Sequence, residues 1–397
     1  MDIDRRGWRL FQDLNNAFKR DPNIDEFDFI PVLEPRNNKS PIVLVEHKLG
    51  LELWCVKILF QYSYRSLMAW RNKKASKFLA PQELSLLTRS VVLINPECYT
   101  VWNIRKEMIE SGDISITDDL KLNSIVLTKH PKSSETFMHR RWVLSRFIEN
   151  HLQSSQGSTC STGSGIDGFV SIEGIDLNVD LAAQNQLHAQ NGEDNGQVGN
   201  DYHKQMKLEI NVCTSSADKY PCNYYAWSHR TWIIQHCYNC STQVLLSELQ
   251  TSQSWVEKHI SDMCGYHYRE YLLTTLSSQK HQLWIHFSIQ YTSLMEKEHH
   301  FILDLISTYP GHETMWYHRK FVFSSLYDLH SHISDDDNNE RDCESNLKKT
   351  RLEIDYMELF KTELDSVEIH GVKSSSIPQQ RFSQNYINWL NRTFKVK

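Results

Sequence analysis

An all-α fold of α-hairpin repeats, tetratricopeptide-like in size, is what this sequence predicts, through a recurring word and a recurring period. The word is Pro, aromatic, Arg. NPECYTVWNIRKEMI sets Pro96 six residues ahead of Trp102, with Arg105 three after it. The same spacing returns as Pro131, Phe137 and Arg140 in HPKSSETFMHRRWVL, as Pro221, Trp227 and Arg230 in YPCNYYAWSHRTWIIQ, and as Pro310, Trp316 and Arg319 in YPGHETMWYHRKFVF. DMCGYHYREYLL loses the proline and keeps Tyr266 and Arg269. A sixth, degenerate copy is expected around Trp70 in YRSLMAWRNKKA. Self-similarity at roughly 35 residues marks stacked supersecondary units, each too small to bury its apolar face alone.

The period is helical. The ring, the Arg three residues on and the positions six and seven on share one stripe of a helix. Those last positions are Met108 and Ile109, Val143 and Leu144, Ile233 and Ile234, Leu272 and Leu273, and Val322 and Phe323, apolar in every copy. Each copy therefore reads as a buried helix carrying one fixed cation. Its proline lies within or just before the first turn, where a missing N–H costs little, and it ends the element before it. That preceding element is itself amphipathic, as in PQELSLLTRSVVLIN, ITDDLKLNSIVLTKH and TQVLLSELQTSQSWVEKHI. The unit is a helical hairpin.

In chain order, an N-terminal segment (1–45) leads into the first repeats (46–152). The interval then widens to ninety residues between Phe137 and Trp227. Residues 153–200 account for the excess: they hold eight of the 14 glycines, one aromatic and no Lys or Arg. Such a composition cannot bury enough apolar surface to offset its ordering entropy, which predicts a disordered Gly/Ser-rich insertion between repeats. Repeats resume over 201–327, where a longer helix in HQLWIHFSIQYTSLMEKEHHFILDLISTYP absorbs the wider interval before Trp316. An acidic loop (328–350) containing SDDDNNERDCES and a C-terminal helical cap (351–397) complete the expected organisation.

Composition narrows the function. The 397 residues carry 43 Lys plus Arg against 49 Asp plus Glu, a net charge of -6, so no electrostatic footprint for nucleic acid or an anionic membrane is present. MDIDRRGWRLFQDL has charges where a secretory leader needs an apolar core, and no run of 18 apolar residues occurs. Together with nine scattered cysteines, an odd number, this predicts a cytoplasmic protein with reduced thiols and no direct membrane insertion. NRTFKVK at the C-terminus lacks the cysteine of a prenyl acceptor.

Two readings of the repeated ring and Arg compete. They could form a cation–π or ligand cage, but a fivefold recurrence at structural period argues for packing, with each Arg fork tied to carbonyls or to a carboxylate of the next hairpin. His139, His229 and His318, two residues after their rings, fall under the same argument. His236, Cys237 and Cys240 offer three metal ligands where a structural zinc site needs four, so no metal site is assigned. No Gly-rich phosphate loop or nucleophile elbow occurs. By its own chemistry the chain reads as a scaffold.

NYYAWSHRTWIIQ and HPKSSETFMHRRWVL resemble the repeats of protein prenyltransferase α subunits, and the likeness covers roughly residues 50–152 and 201–327. The resemblance implies a right-handed superhelical crescent wrapped around a separate β subunit, which would hold the catalytic zinc and most of the isoprenoid pocket. It implies no cofactor in this chain and geranylgeranyl diphosphate as substrate. The implied partners are a prenyltransferase β subunit, the chain shared with the Rab-modifying enzyme, and a prenylatable acceptor protein, for which an already farnesylated SNARE-type protein is a candidate. Lys132 matches the family's lysine directed at the isoprenoid diphosphate, and Asn223 with Tyr224 match its Asn-Tyr pair near the same pocket. A preorganised cation there would favour the charge that develops on the leaving diphosphate. A solvated Lys at a helix start and an Asn serving as N-cap are the alternatives from the residues themselves. Ser134 stands where the family often has an aromatic, which alters that part of the pocket. A repeat scaffold without transferase work is the alternative function.

Overall fold

The computed structural model describes residues 2–35, 40–72, 79–156, 195–279, 284–336 and 358–394, as two compact units, Met1–Ile233 and Ile234–Lys397. Helical hairpins build both, so the all-α expectation holds. In the first unit α3 (Pro81–Ile94) pairs with α4 (Tyr99–Glu110), α5 (Ile116–Lys129) with α6 (Ser134–Gln156), and α7 (Asn195–Lys219) with α8 (Tyr224–His236), whose last residues belong to the second unit. Within the first unit, α4 packs on α6 and α5 on α7. The second unit holds α9 (Thr242–Val256) with α10 (Met263–Ser278), and α11 (Trp284–Thr308) with α12 (Glu313–Asp336). A further helix α13 (358–367) runs through a π-helical turn (Glu368–Val372) and leads to α14 (Ile377–Thr393), which packs on α12.

The periodicity is met residue by residue. Trp102, Phe137, Trp227, Tyr266 and Trp316 are buried, and so are Arg105, Arg140, Arg230, Arg269 and Arg319 three positions on. The apolar positions six and seven after each ring are buried as well, apart from a half-buried Ile109. Pro96, Pro131, Pro221 and Pro310 all stand three residues before their helix begins, in the tight turn between the two helices. In two of these turns the next residue is left-handed, Gly311 at φ 98° and Cys222 at φ 52°. The fourth repeat has Ile260 at the proline position, and Asp262 caps α10 by accepting from the Cys264 amide at 2.9 Å.

Three features depart from the sequence reading. Trp70 lies in the last turn of α2 (Leu53–Arg71), not in the first half of a hairpin's second helix, so the sixth copy expected there is not a repeat. The N-terminal segment is structured: α1 (Asp2–Arg20) packs on α2, and β1 (Glu26–Ile30), β2 (Ile42–Val45) and β3 (Lys48–Glu52) form a sheet of order β1-β3-β2. β1 runs parallel to β3, β2 antiparallel, and β1 docks on α5, where the Phe27 amide donates to Thr128 Oγ1 at 2.9 Å. Third, helices extend into the segments read as irregular. α6 continues to Gln156 and α7 begins at Asn195, while 157–194, the body of the expected insertion, lie outside the described residues. α12 continues to Asp336, and the remainder of the expected acidic loop (337–350) also lies outside them.

Candidate functional site

Four of the repeat arginines, Arg105, Arg140, Arg269 and Arg319, reach a buried carboxylate that the sequence reading did not name. Arg105 of α4 donates from Nε to Asp119 of α5 at 2.6 Å and from Nη1 to Thr88 of its own hairpin at 2.9 Å. Arg140 of α6 forks onto Glu209 of α7 at 2.6 and 2.7 Å, and its Nη1 donates to the Leu120 carbonyl at 2.9 Å. Arg269 of α10 forks onto Glu298 of α11, and Arg319 of α12 donates to Glu363 of α13 at 2.8 Å. Arg230 stacks over the Trp227 ring at 5.7 Å and donates to Thr214 at 2.8 Å.

The same carboxylates take a second partner. His139, His229 and His318 share Asp119, Glu209 and Glu298 at 2.6, 3.4 and 2.7 Å, each from twenty residues downstream, and the Tyr268 hydroxyl donates to Glu248 at 2.6 Å over the same interval. These histidines also press on the ring of the preceding repeat: His139 on Trp102 at 4.5 Å, His229 on Phe137 at 5.5 Å, His318 on Tyr266 at 5.4 Å. One carboxylate thus joins the Arg of one hairpin to the His of the next. Burial alone would raise these carboxyl pKa values, but the arginine charge and the histidine hydrogen bond outweigh it and hold Asp119, Glu209 and Glu298 at about 2. Burial lowers the pKa of His139 and His229, and the Nδ1 of each finds no partner among the described residues, as suits a neutral ring donating from Nε2. The repeat residues are therefore occupied with one another.

Lys132 is placed differently. It is exposed, in the turn between α5 and α6, and its Nζ lies 4.6 Å from the centre of the Tyr220 ring and 3.5 Å from that hydroxyl. It makes no ion pair among the described residues. Asn223 is fully buried and works underneath: its amide donates to the Pro131 carbonyl at 2.6 Å and the Ser216 carbonyl at 2.9 Å, while its Oδ1 caps α8 by accepting from the Ala226 amide at 3.3 Å. Asn223 thus clamps the turn that presents Lys132, and presents no surface of its own. Tyr224 opens α8 and is 65% exposed, edge-to-face with Tyr225. Lys132 and Tyr220 form the outward-facing pair, with Asn223 supporting the turn that presents it. Arg141 adds a second cation that the sequence reading passed over; it bridges from α6 to Ser228 of α8 at 2.8 Å, with no ion pair among the described residues, and burial lowers its pKa. Ser134, at the start of α6, donates to Glu97 at 3.0 Å. Among the described residues, no group of three or more His, Cys, Asp or Glu is arranged to hold a metal, and no helix is long and apolar enough to cross a membrane.

The protein prenyltransferase alpha subunit repeat matches residues 116–147, 207–237 and 295–326, which are the hairpins α5–α6, α7–α8 and α11–α12. A human protein prenyltransferase alpha subunit repeat-containing protein 1 is 34% identical, over 96% of each chain. The chain belongs to this family. The protein 1-B of Xenopus laevis is 35% identical over 81% of this chain and 73% of its own. A shorter likeness, 32% identical over 17% of this chain and 21% of the relative, links it to the geranylgeranyl transferase type-2 subunit alpha of Candida albicans. The hairpins the prenyltransferase alpha subunit repeat does not match are those whose bridging residues differ. In α3–α4, Leu84 and Ile104 replace the carboxylate and the histidine; in α9–α10, Tyr268 replaces the histidine.

Proposed function

We propose that this chain is the α subunit of a heterodimeric protein geranylgeranyltransferase. It scaffolds a zinc-containing β subunit, the one shared with the Rab-modifying enzyme, and directs Lys132 at the isoprenoid diphosphate during transfer to a protein cysteine. The observation that carries this reading is Lys132 itself. The four repeat arginines just traced to carboxylates are neutralised by them, whereas Lys132 is aimed outward by the Tyr220 ring and by a turn clamped from below, and pairs with no carboxylate among the described residues. Such a preorganised cation stabilises negative charge appearing on a leaving diphosphate more than it stabilises the resting substrate. Exposed apolar side chains on the second helices, Tyr99, Met138 and Tyr224 in the first unit and Met263 in the second, support a partner surface. The likeness to a type-2 α subunit supports the choice of isoprenoid. On this reading the bond-making chemistry and its zinc belong to the partner.

Co-expression with a prenyltransferase β subunit is expected to give a stable 1:1 complex that transfers geranylgeranyl to a Cys-terminated protein. Within it Lys132→Ala should lower kcat by roughly 10²-fold, the scale of one preorganised donor, while complex stability stays unchanged. Full turnover in the variant removes Lys132 from the reaction. Failure of complex formation, or an inert complex, replaces the enzyme reading with that of a repeat scaffold.

A further inference from the structure

A cleft of about 420 Å³ lies between α12 and α14, and it shares no residue with the Lys132 site. Two facing helical stripes build it. From α12 come Glu313, Trp316, Tyr317 and Lys320, at helical positions i, i+3, i+4 and i+7. Across from them α14 presents Phe382, Trp389 and Arg392 with the two amides Asn385 and Asn388. Trp316 is buried and forms the floor; Tyr317 is 55% exposed and stands as a wall. Lys320 Nζ sits within the cleft, 4.9 Å from the Tyr317 ring centre and 5.7 Å from that of Trp389. Loss of hydration lowers its pKa.

The charge pattern says what the cleft accepts. Lys320 and Arg392 make no ion pair among the described residues, in contrast to the neighbouring Arg319, which is tied to Glu363. Two cations against Glu313 leave the lining one positive charge in excess, on a chain whose net charge is -6. That balance suits a single carboxylate and opposes a diphosphate, which would bring several negative charges beside Glu313. The aromatic walls suit an apolar side chain, and amides spaced three residues apart suit the donors and acceptors of an extended main chain. A volume of this size admits two or three side chains. We propose that the α12–α14 cleft is a peptide-binding site, which takes an extended segment of a partner protein carrying an aromatic residue two positions from an acidic one, so that both side chains leave the strand on the same face. The carboxylate meets Lys320 and Arg392, and the aromatic ring lies against Trp389 and Tyr317.

The test uses the full chain labelled with 5-fluorotryptophan and the blocked peptide Ac-Gly-Ser-Phe-Ser-Asp-Ser-Gly-NH2. The fluorine resonance lost in Trp389→Phe identifies the reporter. Its saturable shift on titration is expected, together with at least tenfold weaker binding in Lys320→Gln/Arg392→Gln, whose melting temperature should match that of the parent. No shift overturns the proposal, as does equal binding of the peptide with Asn in place of Asp. Displacement of the peptide by inorganic diphosphate at lower concentration than the peptide itself also overturns it, and points to a phosphate-bearing ligand instead.

Discussion

At the scale of the residue, the interior of this protein is held by buried charges that are tolerable only as sets. Asp119, Glu209, Glu298 and Glu363 are buried carboxylates at pKa values of about 2, because each faces a guanidinium. Removing one member strands the other in a medium that cannot solvate it. Arg140→Met is therefore expected to destabilise the first unit by about 3–5 kcal/mol, and Arg140→Met with Glu209→Met to restore much of that loss. Urea denaturation of the two variants, followed by hydrogen exchange over residues 116–147, checks the difference. The sequence showed the arginines, because they recur at fixed distance from a ring. It concealed the carboxylates, because their recurrence spans two helices and the Asp or Glu changes identity from copy to copy.

At the scale of the element, each hairpin is defined by how its second helix starts. Asn223 caps α8 and, through two donated hydrogen bonds, ties it to the turn before α6 and to the end of α7. Asn223→Ala loses the cap and leaves two carbonyls short of a donor, and should cost about 2–3 kcal/mol by chemical denaturation. In an active complex it should also lower turnover, with Lys132→Ala adding little further, since Asn223 acts by holding the turn that carries Lys132. In α10 the limiting contact is steric: a Cβ built on Gly265 lies 2.6 Å from the Trp255 ring. Gly265→Ala is expected to lower the melting temperature of the second unit, at about 1–3 kcal/mol for an overpacked contact. The N-terminal sheet was the element least legible beforehand. Its hairpin turns through Glu46 and His47, both left-handed at φ 46° and 65°, a conformation that Asn and Gly usually announce. Its strands are short and its parallel partner is separated by a helix's worth of chain, so alternation alone could not reveal them.

At the scale of the whole molecule, the histidines give the two units opposite responses to pH. Burial depresses the pKa of His229 below its ordinary value of 6.5. Below that value the unfolded chain binds a proton that the folded chain refuses, so the first unit loses stability as pH falls. His318 is buried too, but Glu270 and Glu298 on its two nitrogens outweigh burial and raise its pKa. Its contribution is complete below 6.5 and lost as pH rises through the folded-state value. Compared with the parent at pH 7.5 and 5.5, His229→Asn should be relatively less destabilising at the lower pH and His318→Asn more so. Unit-resolved hydrogen exchange reads both. Changes of the same sign in the two variants would contradict the assigned charge states.

By itself the sequence determined the repeat, its period and the buried ring and arginine of each hairpin, whereas Lys132 stood out only through the resemblance to prenyltransferase α subunits. Those are properties of local spacing, and a helix converts spacing into a face without reference to the rest of the chain. Tertiary structure alone decided that Asn223 faces inward while Lys132 and Tyr224 face out, that the histidines serve the arginines of other hairpins, and that α12 and α14 enclose an aromatic cleft lined by Lys320 and Arg392. Each of those depends on which helix end or face meets which neighbour, information carried by contacts between residues twenty to ninety positions apart rather than by the spacing within any one helix.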